Sequence, residues 1–353
     1  MKQRIVILGG GLAASFIAAR CALRGHEVTI IDDQHPNSAS RVAAGLFNII
    51  TGRFGALSWL GPQLLEEIQA FFSQPTFSEL QSYLHYTPIY RPFKTIEGYN
   101  KWIGRSVDPV FQEIVQFYEQ PQQPHLLHNE RGGIMIQPCG WADTSRLLQG
   151  FEEVLTRDFD VRYIKREIPY TAFDLEKKSI ILEKEPYAFD HVIFAEGYRM
   201  THNPWLKDVR IIPNKGEILL LHAPSWKLPF VLSRKVYLVH IGDDRYVCGS
   251  TYRNQFDTTE PTEEGKAEIL SHLAKAIKKP FDLVGHWAGV RPTTPNRRPI
   301  VGSLPTHQHV HVLGGFGTKG MLLAPFTSRL LDQLIFEGID EIPEEAHIDR
   351  FFS

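Results

Sequence analysis

One stretch near the amino terminus leaves few folds open. Arg4-Ile5-Val6-Ile7-Leu8 is an apolar, β-branched run with no polar period, the pattern of a strand buried on both faces of a parallel sheet. Gly9-Gly10-Gly11-Leu12-Ala13-Ala14 follows, and Ser15 to Leu23 reads as an alanine-rich helix closing at Arg24-Gly25. Glu27 to Ile31 is a second strand, and it finishes on Asp32-Asp33. Strand, glycine turn, helix, strand and acid, in that order, describe the first βαβ unit of a Rossmann-like sheet. Gly9 permits the tight turn, Gly11 lets backbone approach a pyrophosphate, and Ala14 stands where a small side chain lets helix pack on strand. The helix N-terminus then offers unpaired N–H groups and a positive dipole end to phosphates. Asp32, 18 positions after Ala14, falls where a carboxylate binds ribose hydroxyls. The motif predicts a dinucleotide but does not choose between NAD and FAD.

The chain has 353 residues, long enough at about 150 per domain for two domains. Its 38 Lys and Arg against 40 Asp and Glu leave a net charge of −2, so no whole-protein field steers it onto nucleic acid or an anionic membrane. Cys21, Cys139 and Cys248 are isolated, which argues against a disulfide framework or a cysteine zinc site and for a reducing compartment. Lys2 and Arg4 before the uncharged run Ile5 to Ala19 superficially match a secretory signal, but Gly9-Gly10-Gly11 interrupts the helix such a segment needs. No stretch approaches the roughly 20 apolar residues of a membrane span, and a cytoplasmic location is expected.

Further blocks resemble the D-amino-acid oxidase superfamily of FAD-dependent amine oxidoreductases, most closely its glycine oxidase and sarcosine oxidase relatives. Ser40-Arg41-Val42-Ala43-Ala44-Gly45-Leu46 is similar to the family's small-residue segment along the flavin ring. Gly133 to Pro138 with Asp143 and Leu147-Leu148 resembles the return strand and helix. Asp190 to Gly197 resembles the A-x-G strand end beside the cofactor, and Pro213 to Glu217 the crossover into the substrate sheet. Trp287 to Pro295, Pro299 to Gly302 and Gly314 to Pro325 are similar to the C-terminal signature. Read locally, His309 to Leu313 is a strand and Met321 to Phe336 a helix, a second strand–glycine–helix unit aiming a helix N-terminus at an anion.

The resemblance implies an α/β fold: a Rossmann-like FAD-binding domain of glutathione-reductase type, discontinuous over 1–50, 145–215 and 285–353. A second, α+β substrate domain over 51–144 and 216–284 is built on an antiparallel sheet, with helices at Gly61 to Phe72 and around Lys266 to Ile277. FAD contacts are implied for Gly9, Gly11, Leu12, Ala13, Ala14, Asp32, Asp33, Ser40, Ala44, Gly45, Leu46, Ile168, Ala195 and Gly197. The same holds for Arg291, Gly317, Thr318, Lys319, Gly320 and Met321. The dipole of the last helix, with Lys319, would raise the flavin's potential. No cysteine stands near Thr293-Thr294-Pro295 and no histidine in Ser40 to Leu46, the places where relatives attach flavin, which implies non-covalent FAD.

The implied reaction oxidises the C–N bond of a small amino acid or N-substituted glycine to an imine, by hydride transfer to flavin N5, with oxygen or another acceptor taking the electrons. Arg291, in the family's carboxylate-binding position, offers a planar fork for a bidentate substrate carboxylate; its alternative is a structural pairing with an acid. Tyr237 and Tyr252, in a hairpin formed by Tyr237 to His240, a Gly242-Asp243-Asp244 turn and Tyr246 to Tyr252, are implied in the substrate pocket. Their alternative is hairpin packing. Glycine oxidases carry histidine and arginine where this chain has Phe316 and Thr318, which puts glycine itself in doubt. Gly315 to Gly320 also resembles the flavin domain of the bifunctional tRNA wobble-uridine modification enzyme, which acts on a carboxymethylamino group. The near-neutral charge favours a small molecule over RNA. A non-catalytic FAD-binding redox sensor is the reading from another class. His307, His309 and His311 alternate on one strand face, read as solvated rather than metal-binding, and Arg297-Arg298 reads as a solvated loop pair.

Overall fold

The structure is a computed structural model describing residues 1–52 and 55–352. Two sheets organise it. The first has six strands in the order 162–164, 27–31, 4–8, 191–194, 307–314, 300–304; five run parallel and the last pairs antiparallel. Its register sets Leu8 beside Ile31 and Phe194, and Phe194 beside Val312, so several strands end at one level. In such sheets the crevice beyond the carboxyl ends is where ligands bind. The first helix, Leu12–Leu23, starts three residues before the sequence reading placed it, with Gly11 in extended conformation as its N-cap.

The second sheet has eight strands in the order 282–293, 212–222, 245–249, 237–240, 231–233, 89–92, 133–136, 115–118. It is antiparallel except where 231–233 runs alongside 89–92. The hairpin 237–240/245–249 forms as the alternation predicts, although its second strand stops at Gly249, short of Tyr252.

Helix Gly61–Phe72 buries Leu64, Ile68, Phe71 and Phe72 against the first helix, in one core with Thr144–Phe159 and the long last helix Gly320–Glu337. The Phe16 ring meets Phe71 and Phe151 edge-on at 4.7 and 5.0 Å, and each such buried aromatic contributes about 1.5–3 kcal/mol. The helix expected around Lys266 spans Glu263–Ala274, capped by Thr262, whose side chain accepts from Gly265 N–H.

Two surface readings change. The strand His307–Gly314 lies inside the sheet, and His311 is buried rather than solvated, with Nδ1 2.8 Å from Ser303 Oγ and Nε2 2.9 Å from His191 Nδ1. Burial pushes His311 far below the ordinary histidine range and His191 down to about 4, which keeps this tilted, hydrogen-bonded pair neutral. No group of three or more metal-ligating side chains occurs among the described residues. Arg297 is exposed, but Arg298 tucks its guanidinium over the Trp59 ring at 5.7 Å. No helix among the described residues is long and apolar enough to cross a membrane.

Candidate active site

A single cavity of about 1410 Å³ runs from the carboxyl ends of the parallel strands to the face of the eight-stranded sheet. Its size exceeds the usual 300–1,000 Å³ of small-ligand sites. At the parallel-sheet end, backbone crowding excludes side chains. Gly9, at φ +113°, would place a Cβ 2.4 Å from the Ala195 carbonyl oxygen, and a Cβ on Gly10 would lie 2.5 Å from Asp32 Oδ2. The turn therefore brings backbone against the cavity as a dinucleotide pyrophosphate requires. Ser40 Oγ accepts from Leu12 N–H at 3.2 Å, closing one side of the helix N-terminus. Gly45, at φ +61°, is held so near Ala142 O that a Cβ would fall 2.0 Å from it, which keeps the small-residue segment flat against the cavity.

All the residues singled out for the cofactor line this cavity except Ala14, which is fully buried between helix and sheet. Asp32 and Asp33 are held by guanidinium groups the sequence reading did not single out: Arg41 Nη2 3.3 Å from Asp32 and Arg199 Nη1 2.8 Å from Asp33. Glu196 was likewise unflagged. It accepts from Tyr170 Oη at 2.6 Å and Asn203 Nδ2 at 2.8 Å, and burial pushes its carboxyl up to about 7 against the opposing pull of those bonds.

At the opposite wall the last helix begins at Gly320, directly after the turn Gly315-Phe316-Gly317, whose glycines have φ +72° and +54°. Thr318, Lys319, Gly320 and Met321 line the cavity, and the Lys319 ammonium donates to Ser58 Oγ at 3.2 Å. Burial, reinforced by Arg298 and Arg297, pushes the Lys319 pKa down.

Arg291 projects from the strand Asp282–Thr293 and lies flat across Gly216, where a Cβ would meet its Nη2 at 1.8 Å. Nη1 donates to Asn214 Oδ1 (2.7 Å) and Thr251 O (3.2 Å), and Nη2 donates to Ser250 Oγ (2.7 Å). The guanidinium stacks 4.6 Å from the centre of the Tyr252 ring. Among the described residues no carboxylate pairs with it, and its hydrogen-bond partners are all neutral. Tyr237 reaches the same space, and a Cβ on Gly249 would sit 2.9 Å from its Oη. Burial pushes the Tyr237 pKa up while the Arg291 charge acts against it, so the hydroxyl stays protonated and able to donate. Asn214 and Ser250 lie within or beside blocks noticed in the sequence, but nothing local shows that they hold Arg291.

The glycine cradle, the paired aspartates and the two helix N-termini fit FAD. Residues 4–334 match the family model DAO, FAD dependent oxidoreductase. The chain belongs to this family of FAD-dependent oxidoreductases. Among proteins of known sequence, it is 24% identical over 363 residues to the bifunctional protein ThiO/ThiG of Synechocystis sp., covering 94% of this chain and 51% of that one. It is 21% identical over 385 residues to the tRNA 5-methylaminomethyl-2-thiouridine biosynthesis bifunctional protein MnmC of Legionella pneumophila, covering 98% and 56%. The chain thus spans about half the length of these bifunctional relatives. Glycine oxidase from Geobacillus kaustophilus shares the fold, with a TM-score of 0.83, 20% identity and 98% of each chain covered.

Proposed function

We propose that the protein oxidises the C–N bond of a small amino acid or N-substituted glycine to an imine. The observation that carries this reading is Arg291, a fork without a carboxylate partner, fixed by Asn214 and Ser250 over Gly216 in the cavity shared with the glycine cradle. FAD, held by the glycine cradle, the paired aspartates and the two helix N-termini, would supply a two-electron acceptor for the substrate's C–H hydride at N5; the iminium left behind would lose its N–H proton to solvent, and water would hydrolyse the imine. The protein's part is positional. Arg291 anchors the carboxylate, Tyr237 and Tyr252 wall the amine side, and no side-chain acid or base is needed if the amine enters unprotonated. Oxygen or another acceptor would take up the two electrons.

Binding of FAD is read as non-covalent, supported by three buried cysteines none of which lines the cavity. A cytoplasmic location accords with those unpaired thiols. The division into an FAD domain of 1–50, 145–215 and 285–353 and a substrate domain of 51–144 and 216–284 is supported by the two sheets except at 212–215 and 285–293, which are strand residues of the eight-stranded sheet. The likeness to MnmC over most of the chain favours one second reading, a carboxymethylamino group carried on tRNA. An anaerobic titration of the flavin-loaded protein with glycine, sarcosine, N-alkyl glycines and D-amino acids tests the proposal. Bleaching of the visible flavin band by one class supports it, and readmitted air separates oxidase from dehydrogenase. No bleaching by any member, followed by bleaching with modified tRNA, would replace it with the second reading; none with either would leave a sensor.

A further inference from the structure

The cavity is longer than a two-carbon substrate needs, and its charge changes sign along its length. At the parallel-sheet end Asp32, Asp33, Glu167 and Glu196 outnumber Arg166 and Arg199. At the far end of the eight-stranded sheet the lining carries Arg91, Lys94, Lys101 and Lys235 against the single acid Glu97. Arg91 stands on strand Ile89–Pro92, whose neighbour Tyr90 turns to the opposite face and receives a hydrogen bond from buried Asn129 at 3.1 Å, so strand alternation directs Arg91 to the cavity. Its guanidinium donates to the Gly52 carbonyl, and burial first, then the neighbouring Arg105, push its pKa down. Lys94 and Lys235 are exposed at the rim.

Sheet order gives the distance. The Arg291 guanidinium is bonded to Ser250, beside the end of strand 245–249, and three strand steps separate that strand from 89–92. At about 4.8 Å per step the basic end is roughly 14 Å from the carboxylate anchor. Free glycine cannot touch both.

Resting on the amine-oxidation reading above, we propose that the substrate is an amine whose nitrogen substituent or side chain carries a second anionic group, a carboxylate or a phosphate, received at the Arg91/Lys94/Lys101/Lys235 end while Arg291 holds the first. Tyr237, on the strand between, bounds the connecting chain, and Gly249 beneath its hydroxyl leaves room for that chain to pass.

The test uses three matched compounds on the flavin-loaded protein: N-(8-carboxyoctyl)glycine, N-(8-phosphonooctyl)glycine and the neutral N-(8-carbamoyloctyl)glycine, each spanning about 14 Å when extended. An anionic tail is expected to bleach the flavin band anaerobically at a concentration at least tenfold lower than the neutral amide, and the better of the two anions identifies the group. That advantage should shrink as salt is raised and fall at least threefold in Lys94→Glu/Lys235→Glu, two surface substitutions that leave the core untouched. Equal response to all three compounds overturns the inference while leaving amine oxidation standing. If no amine bleaches the flavin, the function above falls, and tail preference is then read from ligand-induced shifts of the same band, where equality again overturns the inference. Bleaching by a tRNA-borne carboxymethylamino group alone, with none from the small tails, overturns it in favour of a macromolecular substrate.

Discussion

Arg291 is useful only because four other groups fix its plane. Asn214, Ser250 and the Thr251 carbonyl saturate its inward edges, and Tyr252 stacks on its face. Lysine in its place offers a point charge without the fork, so Arg291→Lys should raise the half-saturating concentration of a carboxylate substrate roughly ten- to a hundredfold, the equivalent of about 1.5–3 kcal/mol. Anaerobic flavin titration reads this directly, and unchanged affinity would remove the anchoring role. Glu196 makes a second prediction. Burial raises its pKa from 4.5 to about 7, so the native state holds a proton that the unfolded chain has released between those values. Stability therefore falls as pH rises through that window, by about 3 kcal/mol at most, and is restored on acidification. Glu196→Gln should flatten the dependence of Tm on pH between 5 and 8 relative to the wild type. Parallel profiles would show that Glu196 does not titrate there. Arg291 was legible from its block, whereas Glu196 was not: its environment is made by Tyr170 and Asn203, and nothing in Ala195-Glu196-Gly197 announces them.

The first strand, turn and helix follow from local rules. A run of β-branched residues, a residue that must hold φ +113° and an alanine-rich segment each act over a few positions, and the structure agrees to within three residues at the helix start. Gly9→Ala tests this unit: the left-handed backbone costs about 1–2 kcal/mol, and the new Cβ would meet Ala195 O at 2.4 Å. The variant is expected to purify with little or no bound flavin, read as the ratio of the visible flavin band to the protein band; full loading would mean that the turn does not cradle the cofactor. Other elements were legible in type but not in setting. The alternating histidines of 307–314 were placed on one strand face correctly, but His311 is buried because His191 and Ser303 receive it from neighbouring strands. Helix 61–72 was recognisable, yet its packing against Phe16 and the last helix depends on where the chain returns.

Because both sheets line one cavity, cofactor and folded chain are coupled. Any ligand bound only by the native state stabilises it by mass action, about 2.7 kcal/mol at a hundredfold excess over Kd. Stripping the flavin should therefore lower Tm by roughly 5 °C, with recovery on adding FAD and none on adding NAD. An unchanged Tm would mean that FAD does not bind the native state preferentially. The net charge of −2 concealed a cavity acidic at one end and basic at the other, since a sum carries no positions. Family, fold class and the glycine cradle were written in the chain because they rest on backbone sterics and on side-chain periods that operate between near neighbours. The partners of Arg291, the neutral His191–His311 pair, the raised Glu196 and the distance from anchor to basic end were settled only by folding. The first three depend on burial and on separations of a few ångströms between residues 7 to 120 positions apart, and the last on the order of strands far apart in sequence, so no rule acting between near neighbours fixes any of them.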